Sequence, residues 1–196
     1  MTLYLNKYRI ESNRLQFWDY SSPGSYYITV NIQDRLTILG KIENGIMILS
    51  DAGKIVYEYI KEIPTYHKRI ILDEWVVMPD HIHCIITLGA YDFDNGVSNV
   101  YTIHESYIHS PKTDLQEYIK LRRKMLLFKV IGKLKMQTSK QINILYNTPG
   151  TKTWQRDYYD HVIKDDGEFQ RIKRYIQDNP RNWKKESGCR GSQRKA

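Results

Sequence analysis

The chain has 196 residues, of which 41% are hydrophobic and 27% are charged, a balance typical of one globular domain. Two cysteines, Cys84 and Cys189, are too few for a disulfide framework, and no apolar run approaches the roughly 18 residues that a membrane span needs. A net charge of +8 favours a polyanionic partner, although a few exposed lysines explain such an excess equally well. We therefore expect a cytoplasmic protein without a membrane partner.

The first half of the chain predicts strands around a single helix. Residues 25–32 are rich in β-branched and aromatic side chains, which favours a strand. Residues 40–49 predict a hairpin, because Asn44-Gly45 is the strongest two-residue hairpin signal. Ser50 is a typical N-cap for the helix that follows, and Pro64 is expected to end that helix.

The second half predicts two paired strands, a long helix, a further strand and a last helix. The predicted elements are strands at 69–77 and 81–88, a loop at 91–111, an amphipathic helix at 114–136, a strand at 153–163 and a helix at 167–178 stopped by Pro180. This order of strands and helices, with hairpin-type pairs, predicts an α+β fold. Its antiparallel sheet is expected to carry the helices largely on one face.

His81 and His83 follow a Pro-Asp break between two apolar runs and share one face of the predicted strand. Their positions lie about 6.6 to 6.8 Å apart along the strand, and imidazole is the commonest metal ligand in proteins. The pair is therefore a candidate metal site, and two surface histidines are the alternative. A metal site also needs a third ligand from elsewhere in the chain.

Tyr175 and Asn179 are one turn apart on the predicted last helix, so that a phenol and a carboxamide project from one face. Taken alone, such a tyrosine is usually a packing residue, and an asparagine before proline is usually a cap. Together with His81 and His83 they form a mixed nitrogen and oxygen set that suits a divalent ion handling phosphate. Composition does not separate Mg, Mn and Zn.

Basic side chains crowd the predicted long helix, which indicates either a solvated charged face or a surface that follows a phosphate backbone. They are Lys120, Arg122, Arg123, Lys124, Lys129, Lys133 and Lys135.

Four segments together resemble one protein family. Met78-Pro79-Asp80-His81-Ile82-His83 resembles the HUH signature of single-tyrosine transposases, and Tyr175-Ile176-x-x-Asn179-Pro180-x-x-Trp183 resembles their catalytic helix. Residues 19–29 and 154–163 resemble the first and last strands of the REP-associated tyrosine transposases, a branch tied to short palindromic repeats in bacterial genomes. The chain departs from that family at Asp80, where asparagine is commoner, at Cys84, where glycine is commoner, and in the length of residues 91–111.

The resemblance implies a ferredoxin-like or RRM-like sheet within residues 20–185, between an N-terminal arm at 1–19 and a basic flexible tail at 186–196. It implies a transposase that cleaves and rejoins single-stranded or hairpin DNA through a 5′-phosphotyrosine on Tyr175, and that associates with the nucleoid when bound to DNA. The implied metal ligands are His81, His83 and Asn179, with Mg or Mn as the ion. The implied DNA-binding residues are Arg122, Arg123, Lys124 and Arg156, and His161 is either a further participant or a structural hydrogen-bonding residue.

Two other functions stay open at this point. One is a catalytically silent protein that holds hairpin DNA, derived from a transposase. The other is a zinc or iron enzyme that uses the histidine pair on small molecules. The sequence also leaves open whether the protein is a monomer or a homodimer, and whether the tyrosine acts within its own subunit.

Overall fold

A computed structural model describes residues 18–92, 96–98 and 123–183. In chain order, the elements are β1 Gly24–Asn31, β2 Gly40–Glu43, β3 Ile46–Leu49, α1 Asp51–Lys61, α2 Ile63–Tyr66, β4 Ile70–Val77, β5 His81–Leu88, β6 Ala90–Asp92, β7 Gly96–Ser98, α3 Leu126–Leu145, β8 Tyr159–Ile163 and α4 Asp166–Asn182. The described part of the chain contains no helix long and apolar enough to cross a bilayer.

The central sheet has four strands in the order β4-β5-β1-β8, and every neighbouring pair is antiparallel. The chain path is β1-α1-β4-β5-α3-β8, in which β5 is inserted between β1 and β4, and β1 between β5 and β8. This is the split β-α-β arrangement of ferredoxin-like folds. The predicted α+β class and antiparallel sheet are confirmed.

Both faces of the two central strands are covered. In β1 the side chains of Tyr26, Ile28 and Val30 enter the main core, whereas Tyr27 and Thr29 point to the opposite face. All eight residues of β5 are buried. A central strand that is covered on both faces is usually apolar throughout. In β5 this holds for Ile82 and for residues 84–86 and 88, whereas His81, His83 and Thr87 are buried polar residues.

Helices α1 and α3 pack together over the face that carries the main core. Helix α4 lies on the opposite face, where Phe169 and Ile176 pack against Ile85 and Ile163. Most of the helical cover is thus on one face, as expected, and the last helix closes the face towards which the two histidines point.

The two prolines that were predicted to end helices lie within helices instead. Pro64 lies in the first turn of α2, where a missing backbone N–H costs nothing, rather than at the end of a helix. Pro180 lies inside α4, which continues to Asn182. Only one intrahelical hydrogen bond is lost there, close to the helix end, so α4 is longer than the predicted 167–178.

The long helix is also shifted relative to its prediction. Within the described residues α3 begins at Leu126 and runs nine residues past the predicted end at Met136, to Leu145. The burial pattern continues through Thr138 and Ile142. Thr138 is buried because its hydroxyl donates to the Leu134 carbonyl at 2.8 Å and accepts from Trp154 Nε1 at 2.9 Å. An apolar-periodicity argument does not count such a threonine.

The last strand is shorter than the predicted 153–163. Thr29 faces Tyr159 in the regular pairing, whereas Ile32 faces Trp154 in an isolated bridge. Four residues of one segment, 155–158, therefore lie opposite two of the other, 30 and 31, and the regular ladder between these segments is interrupted. The predicted loop at 91–111 includes part of a short β6-β7 pair, and its residues 93–95 and 99–111 lie outside the described residues, as does most of the predicted arm and tail.

Candidate active site

His81 and His83 project from β5 towards α4 and are almost fully buried, at 5% and 4% exposure. Their rings turn towards each other, with the centroids 4.5 Å apart and the planes at 75°. The two Nε2 atoms are separated by 2.9 Å. The two Nε2 atoms are thus much closer together than the backbone positions of the two residues, which lie about 6.6 to 6.8 Å apart along a strand.

A buried carboxylate orients His81. Asp80 Oδ1 lies 2.5 Å from His81 Nδ1, and Asp80 Oδ2 lies 2.9 Å from Arg35 Nε. Asp80 is 4% exposed, so its charge is compensated inside the protein by these two groups. A carboxylate at Nδ1 holds the proton there and leaves Nε2 as the free lone pair.

Two hydroxyls orient His83. Its Nδ1 lies 2.8 Å from both Tyr27 Oη and Thr29 Oγ1. Burial, together with the smaller effects of the charges of His81 and Arg35, lowers the pKa of His83 to about 3. The imidazole is therefore neutral at pH 7, which is the form that binds metal ions.

The two Nε2 atoms have the arrangement of a metal-binding pair. At this distance one Nε2 can donate to the other, and in the tautomers with a proton on each Nδ1 both Nε2 lone pairs face each other and are free to bind a cation. Adjacent ligands of an octahedral ion at about 2.1 Å are about 3 Å apart, close to the observed 2.9 Å. The residues present therefore fit a divalent ion.

A third metal ligand is not evident among the acidic, histidine and cysteine side chains that the structure describes. Among the described residues, no group of three or more such side chains is arranged to hold a metal ion. Asn179 is the candidate on α4, and it is half-buried. It lies one turn from Tyr175 and one turn from Trp183, so that all three share a helix face.

That face of α4 passes over the histidines. The Tyr175 ring is 5.4 Å from the His83 ring, and the Trp183 ring is 5.8 Å from the His81 ring, measured between centroids. Ile176 is fully buried beneath the helix, and Gln177 Nε2 donates to Glu74 Oε2 on β4 at 2.6 Å. The predicted site residues Tyr175, His81 and His83 are thus brought together, with Asn179 between the two aromatic contacts.

Tyr175 reaches the histidine pair through a second tyrosine. Its ring lies edge-on to Tyr27 at 6.3 Å, and it is 53% exposed. Burial raises the pKa of Tyr27 well above its ordinary value, and a hydrogen bond with Tyr175 raises this pKa further. Tyr27 therefore keeps its proton and links the Tyr175 phenol to the Nδ1 side of His83.

His161 takes no direct part in this cluster. Its Nε2 lies 2.9 Å from Glu168 Oε1, and Glu168 also accepts from the Lys164 backbone N–H. These contacts connect β8 to the first turn of α4. The structural reading of His161 is thus the one that its hydrogen bond favours, since the bond holds in position the helix that carries Tyr175.

The predicted DNA-binding residues separate into two places. Arg156 lines an exposed groove of about 400 Å³ whose basic residues also include Lys135 and Lys152. Arg123 and Lys124 precede α3 near Ser21, at the opposite end of β1, roughly 25 Å away. Arg122 lies outside the described residues.

Three residues that orient the histidines carry no signal in the sequence taken alone. Tyr27 and Thr29 look like ordinary strand residues, and Arg35 looks like a loop cation. Alternation places Tyr27 and Thr29 on one face of β1, but only the pairing of Thr29 with His83 brings their hydroxyls to the imidazole. A reliable β1–β5 register would have revealed them.

The chain was compared with protein-family models and with known proteins. No family model matches the chain. A Haemophilus influenzae protein, described only as uncharacterized, is 29% identical over 181 residues that span 89% of this chain and 90% of that protein.

Two solved structures match this chain over most of its length. One is a REP-associated tyrosine transposase bound to a REP hairpin, with 20% identity, a TM-score of 0.46, and coverage of 88% of this chain and 73% of that one. The other, from Deinococcus radiodurans, is provisionally described as a transposase, with 13% identity, a TM-score of 0.40, and coverage of 80% and 91%.

Proposed function

We propose that this protein is a metal-dependent tyrosine transposase that cleaves and rejoins single-stranded DNA at hairpin sequences. The observation that carries the proposal is the convergence of the His81 and His83 Nε2 atoms beneath the helix face that presents Tyr175. The HUH-like and tyrosine-helix motifs in the sequence support the same function. The net charge of +8 suits a nucleic-acid substrate.

Tyr175 supplies the nucleophile in this proposal. Its phenolic oxygen forms a bond to the phosphorus of the scissile phosphodiester, and the bond from phosphorus to the 3′-oxygen breaks. The phenol gives up a proton and the departing 3′-oxygen takes one, which leaves a 3′-hydroxyl and a 5′-phosphotyrosine. Attack by a 3′-hydroxyl on that linkage reverses the step and rejoins DNA without ATP.

His81, His83 and Asn179 would hold the ion, with Mg or Mn as the proposed metal. When bound, such an ion polarises phosphoryl oxygens and orients the scissile bond. Asp80 fixes the His81 ring, and Tyr27 with Thr29 fixes the His83 ring, so that both Nε2 atoms are directed to the same point. Because Tyr175 is half-exposed, rotation of its side chain can bring the phenol from Tyr27 to a bound phosphate.

The test is formation of a covalent adduct. The protein is incubated with Mn²⁺ and a single-stranded oligonucleotide that contains a hairpin with unpaired flanks, and the products are separated on a denaturing gel. We expect a protein–DNA adduct that disappears in Tyr175→Phe. Tyr159→Phe is a matched control, because Tyr159 also contacts Tyr27 and is 41% exposed.

The outcome separates the alternative functions. An adduct that survives in Tyr175→Phe overturns the assignment of the nucleophile. Salt-sensitive hairpin binding without any adduct identifies a silent DNA-binding protein instead. If the protein neither binds hairpin DNA nor forms an adduct, the remaining hypothesis is an enzyme that uses the histidine pair on small molecules.

A further inference from the structure

A cavity of about 330 Å³ lies beside the histidine pair, on the side of His81 away from Tyr175. The residues that line it are Thr37, Gly40, Lys41, Ile42, Pro79 and Trp183. Trp183 belongs both to this wall and to the histidine cluster, because its ring is 5.8 Å from the His81 ring at an angle of 37°. The cavity and the candidate metal pair are thus separated by one indole ring.

The cavity is built from segments that hold each other in place. The Leu39 N–H donates to the Pro79 carbonyl at 3.0 Å, which ties the start of the β2–β3 hairpin to the turn before His81. A Cβ on Gly40 would lie 2.1 Å from the Ile48 carbonyl oxygen, so the two hairpin strands are in close contact there. At the hairpin tip Gly45 lies against Arg181 of α4. The hairpin therefore fixes the helix end that carries Trp183.

The chemistry of the walls suits a flat aromatic group next to a phosphate. Trp183 offers an indole face, Pro79 and Ile42 are apolar, and Thr37 has a hydroxyl that can donate or accept. Lys41 is 70% exposed at the rim, where its ammonium group can face a phosphate while its salt bridge with Glu43 stays in solvent. Aromatic side chains beside cations are the usual platform for unpaired bases.

We propose that this cavity, the Trp183 slot, binds the base of an unpaired nucleotide next to the scissile phosphate. The inference rests on the proposed function and adds a specific subsite to it. The Trp183 and His81 ring centroids are 5.8 Å apart. A DNA strand whose phosphate lies at the histidines can therefore place its neighbouring base on the indole. The slot lies between the β2–β3 hairpin and the end of α4.

The experiment measures binding without cleavage. Tyr175→Phe protein is titrated with fluorescent hairpin oligonucleotides in which each unpaired flanking nucleotide is made abasic in turn, and affinity is read by anisotropy. We expect one abasic position to weaken binding about 5- to 100-fold. Adding Trp183→Ala should cause a similar loss with the intact oligonucleotide and no further loss with that abasic one.

Two variants keep the result interpretable. Trp183→Phe retains a stacking ring and should recover most of the affinity, which a merely destabilised helix end would not do. Tyr146→Ala removes an aromatic residue that is 48% exposed near the end of α3 and should leave affinity unchanged. The inference is overturned if Trp183→Ala binds normally, or if its loss and the abasic loss simply multiply at every position.

Failure of the slot and failure of the proposed function give different results. If the wild-type protein forms the Tyr175 adduct and Trp183→Ala forms it with the same efficiency, the slot is rejected and the transposase proposal stands. Coupled losses at Trp183 and one nucleotide, without any adduct from the wild-type protein, keep the slot and reject the chemistry.

Discussion

Asp80 is one of the positions at which this chain departs from the family that its motifs resemble, and in the structure its carboxylate orients His81. Its two oxygens bind His81 Nδ1 and Arg35 Nε, so the carboxylate fixes the ring of one candidate metal ligand. An amide could accept the same hydrogen bond from His81, but it would carry no charge to oppose Arg35 or to make the imidazole more basic.

We predict that Asp80→Asn lowers Mn²⁺ affinity about 10- to 100-fold, because the partner of a metal-ligating histidine raises its basicity. Isothermal titration calorimetry on the metal-free protein measures this directly. Asp178→Asn, on an exposed position of α4, is the control and should bind as the parent does. Equal affinity in Asp80→Asn would contradict a role of the carboxylate in metal binding.

His83 predicts a pH dependence of stability in the metal-free protein. Its pKa is about 3 in the folded protein against an ordinary value of 6.5, so the unfolded chain binds a proton that the folded one excludes. The free energy of unfolding should be at its full value above about pH 6.5 and should fall as the pH drops towards 3. Urea unfolding at several pH values tests this.

A His83→Asn variant provides the comparison, since it removes the titrating group from the same buried position. Its stability should fall less steeply over that pH window than the parent's. Parallel curves for the two proteins would show that other groups cause the acid sensitivity.

At the scale of single elements, two glycines in helices predict opposite effects. A Cβ on Gly53 would lie 2.0 Å from the Leu39 carbonyl oxygen, whereas a Cβ on Gly132 would meet nothing within 4 Å among the described residues. We expect Gly53→Ala to destabilise the protein by about 1–3 kcal/mol through overpacking. Gly132→Ala should stabilise it by about 0.5–1 kcal/mol, since alanine favours the helix.

Chemical denaturation of the two variants side by side checks both signs. The contrast is informative because each change adds one methyl group to a helix. A neutral Gly53→Ala would mean that the loop at Leu39 moves easily, and would weaken the view that the hairpin is fixed against the rest of the protein.

Element types were readable from the sequence where hydrophobic pattern decides, as in β5 and in the Asn44-Gly45 hairpin. Element ends were less so, because they depend on partners distant in sequence. Thr138 extends α3 through its contact with Trp154, and Pro180 is accommodated by a helix already anchored at Ile176. Local propensity contains neither fact.

At the scale of the whole molecule, both halves of the candidate site belong to one folded chain. The rings of His83 and Tyr175 are in contact within a single subunit. We therefore predict that Tyr175 acts on DNA held by its own histidines. A mixture of Tyr175→Phe with a His81→Ala/His83→Ala double variant should form no adduct.

Recovery of adduct in that mixture would show that the tyrosine acts on a partner's site. Each variant must be shown to bind hairpin DNA or to fold normally by circular dichroism, so that an inactive mixture is not simply an unfolded one.

The two basic regions predict different salt dependence. The Arg156 groove lies at the same end of the sheet as His81, since the Gln155 N–H donates to the Asn31 carbonyl and Asn31 pairs with His81. Arg156→Ala should lower the slope of log affinity against log salt by about 0.7, the value for one lost phosphate contact on a single strand. Arg123→Ala, at the far end of β1, is the control that should leave the slope unchanged.

The ferredoxin-like chain path was expected only through the family resemblance, because strand types and order alone allow several pairings. The sequence pattern alone predicted that His81 and His83 share one face of a strand and that Tyr175 and Asn179 share one face of a helix. That these two faces meet depends on β1 entering the sheet between β5 and β8, a non-local arrangement that no short window of sequence encodes.

The position of α4 after the completed sheet has a consequence for synthesis on the ribosome. The proposed metal-binding histidines are synthesised first, and the proposed nucleophile Tyr175 follows His83 by 92 positions along the chain. A nascent or prematurely terminated product that ends before α4 can retain the imidazoles yet has no phenol with which to break a strand. Under the proposed chemistry, a product that ends before Tyr175 could not cleave DNA.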